Sequence, residues 1–183
     1  MLLAAHNFYD TLNQFRVLPE RITSVDEETF KRVYGDESAG IEKNIIYILR
    51  TEKPIPRLKG ESDIVYIGQT KGTFRQRYLV SAGLHATSPA NRMKYEHILS
   101  HYGPIRITLA PYGLYGDSLL KAEGQFLWWY FQNHCEYPPV NYTKTKVRND
   151  VVSVMLNHEG DQQILLAGDV ATGHATQGVA NEY

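Results

Sequence analysis

Two apolar runs, each with a tyrosine inside it, do most to limit what this chain can fold into; the tyrosines stand nineteen residues apart. The first run is Asn44-Ile45-Ile46-Tyr47-Ile48-Leu49-Arg50 and the second is Asp63-Ile64-Val65-Tyr66-Ile67-Gly68-Gln69-Thr70. Both are rich in β-branched and aromatic residues, which suit a pleated, packed surface, so both read as strands. Pro54, Pro56 and Gly60 lie between them, which predicts a loop over Thr51–Ser62 rather than a tight hairpin turn. Gly72-Thr73 then opens a helix with Thr73 as its N-cap, expected to run to about Ala82 before Gly83.

The flanking sequence supplies the remaining elements. Residues 1–42 read as a helical, acidic extension, with a capping box at Ser24-Val25-Asp26-Glu27 opening a helix to about Val33 and Gly35 as its stop. A helix is predicted over Pro89–His101. The period-two alternation of Ile105-Arg106-Ile107-Thr108-Leu109 predicts a third strand, and a long helix over Asp117–His134 is ended by Pro138-Pro139. Further on, Val151–Leu156 and Gln163–Ala167 flank His158-Glu159-Gly160-Asp161, the pattern of a β-hairpin, before a small, polar tail from Gly168. The expected fold class is therefore mixed α/β (α+β). It comprises an N-terminal helical extension (1–42), a core (43–142) ordered strand, strand, helix, helix, strand, helix, and a C-terminal β-hairpin with a flexible tail (143–183).

Charge points to the core as the binding segment. The 19 Lys and Arg nearly balance the 20 Asp and Glu, which argues against a generic polycation. Yet Lys43–Tyr95 holds ten basic residues against three acidic, while residues 1–42 hold four against eight. A polyanion-binding face on the tyrosine-bearing segment follows. The single cysteine, Cys135, excludes an internal disulfide and a thiolate metal cluster. No apolar run approaches the roughly 20 residues of a membrane span, so no membrane partner is expected, and the absence of a signal-like N-terminus points to a cytoplasmic, reducing setting. His97 and His101, four apart on a predicted helix, read as surface histidines. Trp128-Trp129-Tyr130-Phe131 reads as a run buried against the sheet.

The two tyrosine runs with the basic helix after them resemble the signature of the GIY-YIG nucleases. The resemblance covers Lys43–Tyr142, a little over half the chain. It implies a three-stranded antiparallel sheet flanked by helices and hydrolysis of phosphodiester bonds. By this likeness Tyr47 is the residue that orients or deprotonates water, Tyr66 lines the same site, and Gly68 completes an intact Tyr-Ile-Gly. Arg77, nine residues past Gly68, matches the catalytic arginine, with Lys71 beside the tyrosines. Glu123 matches the metal-binding glutamate and Asn141 the asparagine after that helix. Mg²⁺ (or Mn²⁺) is the implied cofactor, held by one carboxylate with waters and phosphate oxygens in the other positions.

The chain departs from the signature twice. Ile45 stands where the family name has glycine, and Ser81 occupies the position one turn after the arginine where a histidine or tyrosine is usual, leaving His85, two turns on, as the substitute. Taken singly, each of these residues also has an ordinary structural reading; the order and spacing of the set give it weight. Nucleic-acid contacts are expected from Gly68, Gln69, Thr70, Arg75, Arg92, Lys94 and Asn141, with Arg75 on a flanking phosphate because it leaves the helix on another side from Arg77. The implied substrate is double-stranded DNA. The lack of an appended binding module resembles the restriction endonucleases of the superfamily, a likeness that allows a homodimer. A phage or mobile-element nuclease of low specificity and a non-catalytic nucleic-acid-binding protein on the same scaffold are the alternatives.

Overall fold

A computed structural model describes residues 5–141 of the chain. The β-hairpin and tail expected beyond Tyr142 lie outside the described residues. The architecture is α+β: one open antiparallel sheet of four strands with helices on both faces. The strands are β1 (Arg16–Val17), β2 (Ile45–Pro56), β3 (Glu61–Thr70) and β4 (Ile105–Pro111), arranged β1-β4-β2-β3. The helices are α1 (Phe8–Leu12), α2 (Glu27–Gly35), α3 (Phe74–Tyr78), α4 (Ala82–Thr87), α5 (Pro89–Tyr102) and α6 (Leu119–His134).

The two tyrosine runs form adjacent antiparallel strands, with Tyr47 opposite Gly68 and Leu49 opposite Tyr66. The strand pleat then sends alternate residues to opposite faces. Ile45, Tyr47 and Leu49 join Ile105, Ile107 and Leu109 in a core covered by Phe30, Val33 and Tyr34 of α2, Phe74 of α3, Ala82 and Ala86 of α4 and Ile98 of α5. Ile46 and Ile48 join Ile64, Ile67 and Ala110 in a second core, covered by Phe8 and Leu12 of α1 and the Leu119–Tyr130 face of α6.

Four expectations are corrected. The sheet has a fourth strand: the extension contributes β1, paired with β4 through Arg16–Leu109 and Val17–Thr108, and Ile22 bridges to Ile105. Two residues are too few to show a period, so β1 has no signature of its own. The stretch Thr51–Ser62 is mostly strand, with a short turn in which Arg57 N–H donates to Gly60 O (3.0 Å) and Gly60 takes φ +71°. Pro54 and Pro56 are tolerated because β4 stops opposite Thr51, so the end of β2 pairs on one side only, across irregular register between Arg50 and Ile55. The helix after Gly68 ends at Tyr78 and resumes as α4 after a 3₁₀ turn at Leu79–Ser81, with Gly83 inside it. A Cβ at Gly83 would stand 3.5 Å from the Glu27 carboxylate, an ordinary contact, so α4 tolerates this glycine inside it without the packing demanding one. Finally, α2 is capped by Asp26, whose carboxylate accepts Thr29 N–H (2.7 Å), while Ser24 hydrogen-bonds Asp26.

Other expectations hold closely. Thr73 caps α3 in a reciprocal box with Gln76 and Pro89 opens α5, while α6 ends at His134 as expected but starts two residues later than expected, capped by Ser118. In the aromatic run Trp129 and Tyr130 are buried, while Trp128 and Phe131 stack on each other half-buried with rings 5.6 Å apart. His97 and His101 are exposed.

Candidate functional site

The strand pleat puts Tyr47, Tyr66 and Gly68 on one face, and α3 crosses that face. Tyr47 and Tyr66, diagonal neighbours across the strand pair, stack with centroids 5.9 Å apart and planes 25° apart. Both rings overlie Gly68: a Cβ there would meet Tyr47 Cζ, Tyr47 Oη and Tyr66 Cε1, each at 2.6 Å. Glycine is therefore required by side-chain packing at this position, and not by backbone conformation. Phe74 and Tyr78, one turn apart on α3, close the other side of Tyr47 at 5.3 and 5.4 Å, both edge-on.

The hydroxyls form a relay. Tyr78 Oη donates to Tyr47 Oη at 2.8 Å. Tyr47 in turn interacts with the hydroxyl of half-buried Tyr66. Behind Tyr78 lie His85, whose ring is 5.8 Å away, and Tyr34, whose hydroxyl is 2.9 Å from His85 Nδ1. Tyr95 completes the cluster, 6.0 Å from the His85 ring.

Burial sets the acid–base behaviour here. Tyr47 is 1% exposed, and loss of solvent raises its pKa far beyond the ordinary phenol value. The Tyr66 phenol raises it further, while the hydrogen bond from Tyr78 and the charge of Arg77 pull it down without overcoming burial. Burial likewise raises Tyr78 and Tyr34, and carries Tyr95 up to about 12. His85 moves the other way: burial first, then the Lys94 charge, lower its pKa, so it is neutral at pH 7. At neutral pH, then, the cluster is a chain of protonated phenols ending on one neutral imidazole.

The structure brings together Tyr47, Tyr66, Gly68 and, through its charge on Tyr47, exposed Arg77, with His85 one ring behind. The remaining expected residues stand elsewhere. Glu123 is half-buried on α6, between buried Leu119 and Leu127, and α6 packs on the opposite face of the sheet. Both elements start from one end of the sheet: α3 follows the Thr70 end of β3, α6 follows the Pro111 end of β4, and Ile45 pairs with both residues. The path from Arg77 to Glu123 thus runs round that end, past exposed Lys71, whose carbonyl accepts Asn44 N–H (3.1 Å). Gln69 pairs with Ile46 and so alternates to the α6 face, while Thr70 Oγ1 accepts Gly72 N–H (3.2 Å).

Arg75 is exposed on the far side of α3 from the tyrosines. Arg92 is held on α5 by Glu96 (2.6 Å) and the Ala86 carbonyl (3.3 Å), and Lys94 lies a turn from Ile98 on the same helix. Asn141 is a strap on the outer edge of β3. Its Oδ1 accepts Ile67 N–H (2.9 Å), its Nδ2 donates to Ile67 O (2.7 Å), and Val140 N–H donates to Val65 O (2.9 Å).

Tyr78, Tyr34 and Tyr95 are the members of the cluster that sequence reasoning missed. One signal was present for Tyr78: it stands four residues after Phe74, on the stripe that α3 must bury. As for a metal, no group of three or more His, Cys, Asp and Glu side chains converges among the described residues. Glu123, the carboxylate that the resemblance matches to the metal, stands on α6 across the sheet from Tyr47 and Phe74, so a hard cation held there would draw its other ligands from phosphate oxygens and water, not from a cage of side chains. No model of a known protein family, no curated protein and no solved structure matches the chain.

Proposed function

We propose that this chain is a metal-dependent endonuclease of the GIY-YIG type that hydrolyses phosphodiester bonds in double-stranded DNA. The observation that supports it is the stacked Tyr47–Tyr66 pair over Gly68, with the Arg77 charge acting on the Tyr47 hydroxyl. Three of the residues that the resemblance names, Tyr47, Tyr66 and Gly68, share one face of the sheet, and the fourth, Arg77, lies on the helix that crosses it. Arg77 stays charged at any working pH, and its exposed guanidinium suits bidentate donation to a phosphate. Half-buried Tyr66, stacked on Tyr47, is the member of the pair that solvent reaches. Tyr47, with its proton held by burial, serves to orient water through the Tyr66 hydroxyl rather than to remove a proton from it. His85, neutral at pH 7, is the group in the cluster able to accept one. Glu123 would hold the Mg²⁺ or Mn²⁺, which supplies charge neutralisation at the phosphate. The proposed assembly, as in restriction enzymes, pairs two copies so that two sites cut two strands, in a cytoplasmic setting.

A second reading is a nucleic-acid-binding protein without chemistry, and a specific feature favours it: Tyr47 is sealed from solvent and Glu123 projects from a helix on the other face. Incubation of supercoiled plasmid with the purified chain, with and without Mg²⁺ or Mn²⁺, separates the two. Metal-dependent cutting lost in both Arg77→Ala and Glu123→Ala upholds the nuclease. Discrete fragments indicate a restriction-type enzyme, and a smear one of low specificity. Retention of plasmid in a gel-shift assay with no cutting by the unaltered chain upholds the binding protein.

A further inference from the structure

Arg75 and Arg77 leave the five-residue α3 about 200° apart, so they serve opposite sides of it. Arg77 faces the tyrosines. Arg75 opens onto a separate cavity of about 390 Å³, walled by Lys43, Thr73 and Gln76 on its polar side and by Leu79 and Val80 on its apolar side. Gly40 forms the floor: a Cβ there would stand 3.5 Å from Arg75 Cδ, so the stem of the arginine lies directly over glycine backbone. Val80 is 88% exposed at the rim.

The charge of this cavity is unbalanced. Among the described residues neither Arg75 nor Lys43 makes an ion pair, whereas Arg16, Lys31, Arg32 and Arg92 elsewhere on the chain each have a carboxylate. No acidic side chain lines it. Two uncompensated cations with a small apolar wall suit an anion attached to a less polar body, the chemistry of a phosphate with its sugar. The volume falls in the range of small-ligand clefts.

We propose that the Lys43–Arg75 cavity is a second phosphate subsite, holding nucleic-acid backbone beside the phosphate at Arg77, with the sugar against Leu79 and Val80. This rests on the nuclease reading for the identity of the phosphate at Arg77, and α3 then becomes a wedge whose two sides grip neighbouring stretches of one backbone. The two sides differ in purpose: Arg77 acts at the site of cutting, while Lys43 and Arg75 set affinity.

The test is binding of a fluorescent DNA duplex by anisotropy in EDTA, across a KCl series, for the unaltered chain, Lys43→Gln/Arg75→Gln and Arg75→Lys. Lys31→Gln, which removes an exposed charge from α2, is the control. Each phosphate contact contributes about 0.9 to the slope of log affinity against log salt, so losing two flattens it by about 1.8. Over a fourfold rise in salt, the unaltered chain is then expected to lose about twelvefold more affinity than the double variant. Arg75→Lys should keep most of the slope, and Lys31→Gln all of it. An unchanged slope in the double variant, in a chain that binds and cuts DNA, overturns the subsite while leaving the nuclease reading intact. A chain that neither binds nor cuts overturns both. Binding of a polyglutamate peptide that the double variant loses, with duplex binding unaffected, overturns the subsite in favour of an acidic protein partner.

Discussion

Replacing Gly68 by alanine probes the geometry of the tyrosine pair without assuming any activity. The added methyl would sit 2.6 Å from two ring carbons and the Tyr47 hydroxyl oxygen, where ordinary contact begins at 3.4 Å, so two side chains must each retreat by about 0.8 Å. Tyr47 has no room for this, since it is 1% exposed and pinned by Phe74 and Tyr78. Overpacking of this kind costs about 1–3 kcal/mol, and three simultaneous clashes place Gly68→Ala near the top of that range. Alanine also loses less freedom on folding than glycine, which returns about 0.4–1 kcal/mol. A net loss of about 2 kcal/mol follows, or a fall in Tm of about 4–8 °C for a chain of this size. Urea and thermal unfolding followed by circular dichroism would measure both. The same substitution made on a Tyr66→Ala background should cost less than about 1 kcal/mol, because Tyr47 can then slide into the vacated space. A Gly68→Ala change that costs under about 0.5 kcal/mol in the otherwise unaltered chain would show that the rings do not overlie Gly68, and would remove the support the tyrosine pair gives to the site.

Three further outcomes are expected. Tyr78→Phe removes the donor to the Tyr47 hydroxyl (2.8 Å), costing about 1 kcal/mol in urea unfolding, and should push Tyr47 ionisation still higher, read from phenolate absorbance in an alkaline titration. His85 has its folded pKa below the unfolded value of about 6.5, so below that pH the unfolded chain binds the extra proton and stability falls as pH drops towards the folded pKa. Thermal unfolding between pH 7 and pH 5 should therefore show a smaller loss of Tm for His85→Gln than for the unaltered chain; equal losses would refute the assignment. Asn141→Ala deletes both bonds to Ile67, with an expected cost of about 1–2 kcal/mol and faster amide exchange at Ile67, whereas exchange at Ile48 on the central strand should hold.

The sequence was most legible where local pattern and tertiary context agree. The runs around Tyr47 and Tyr66 became adjacent strands because β-branched residues suit a strand buried on both faces, and the pairing of Tyr47 with Gly68 then followed from register. Thr73 was readable as a cap because a cap is decided within four residues. Arg16–Val17 could not be read, since its pairing with Leu109 and Thr108 depends on residues some ninety positions away. Pro54 and Pro56 misled for a related reason: a proline ends a strand only when both edges are used. For the site, the family resemblance grouped Tyr47, Tyr66 and Arg77, and the strand pleat puts the two tyrosines on one face. The resemblance did not show the roof of Tyr34, Phe74 and Tyr78 above them, because those rings arrive from two helices whose packing order is not written in any local period.

Asn141 is described above as a strap, and it has a consequence for assembly. Its amide takes both the N–H and the C=O of Ile67, as the backbone of a neighbouring strand would, so the middle of that margin is already occupied. At the opposite margin Leu18 N–H donates to Ile107 O (2.9 Å), and Ile22 exchanges both backbone bonds with Ile105. Strand addition is therefore obstructed at the middle of β3, and on the other side β4 is covered by Leu18, Ile22 and the two-residue β1, a short edge of the kind that limits edge-to-edge pairing. On the nuclease reading, a second copy would then pair away from the middle of β3, and the end of the sheet where Lys71 and the start of α3 lie would stay free for the DNA backbone.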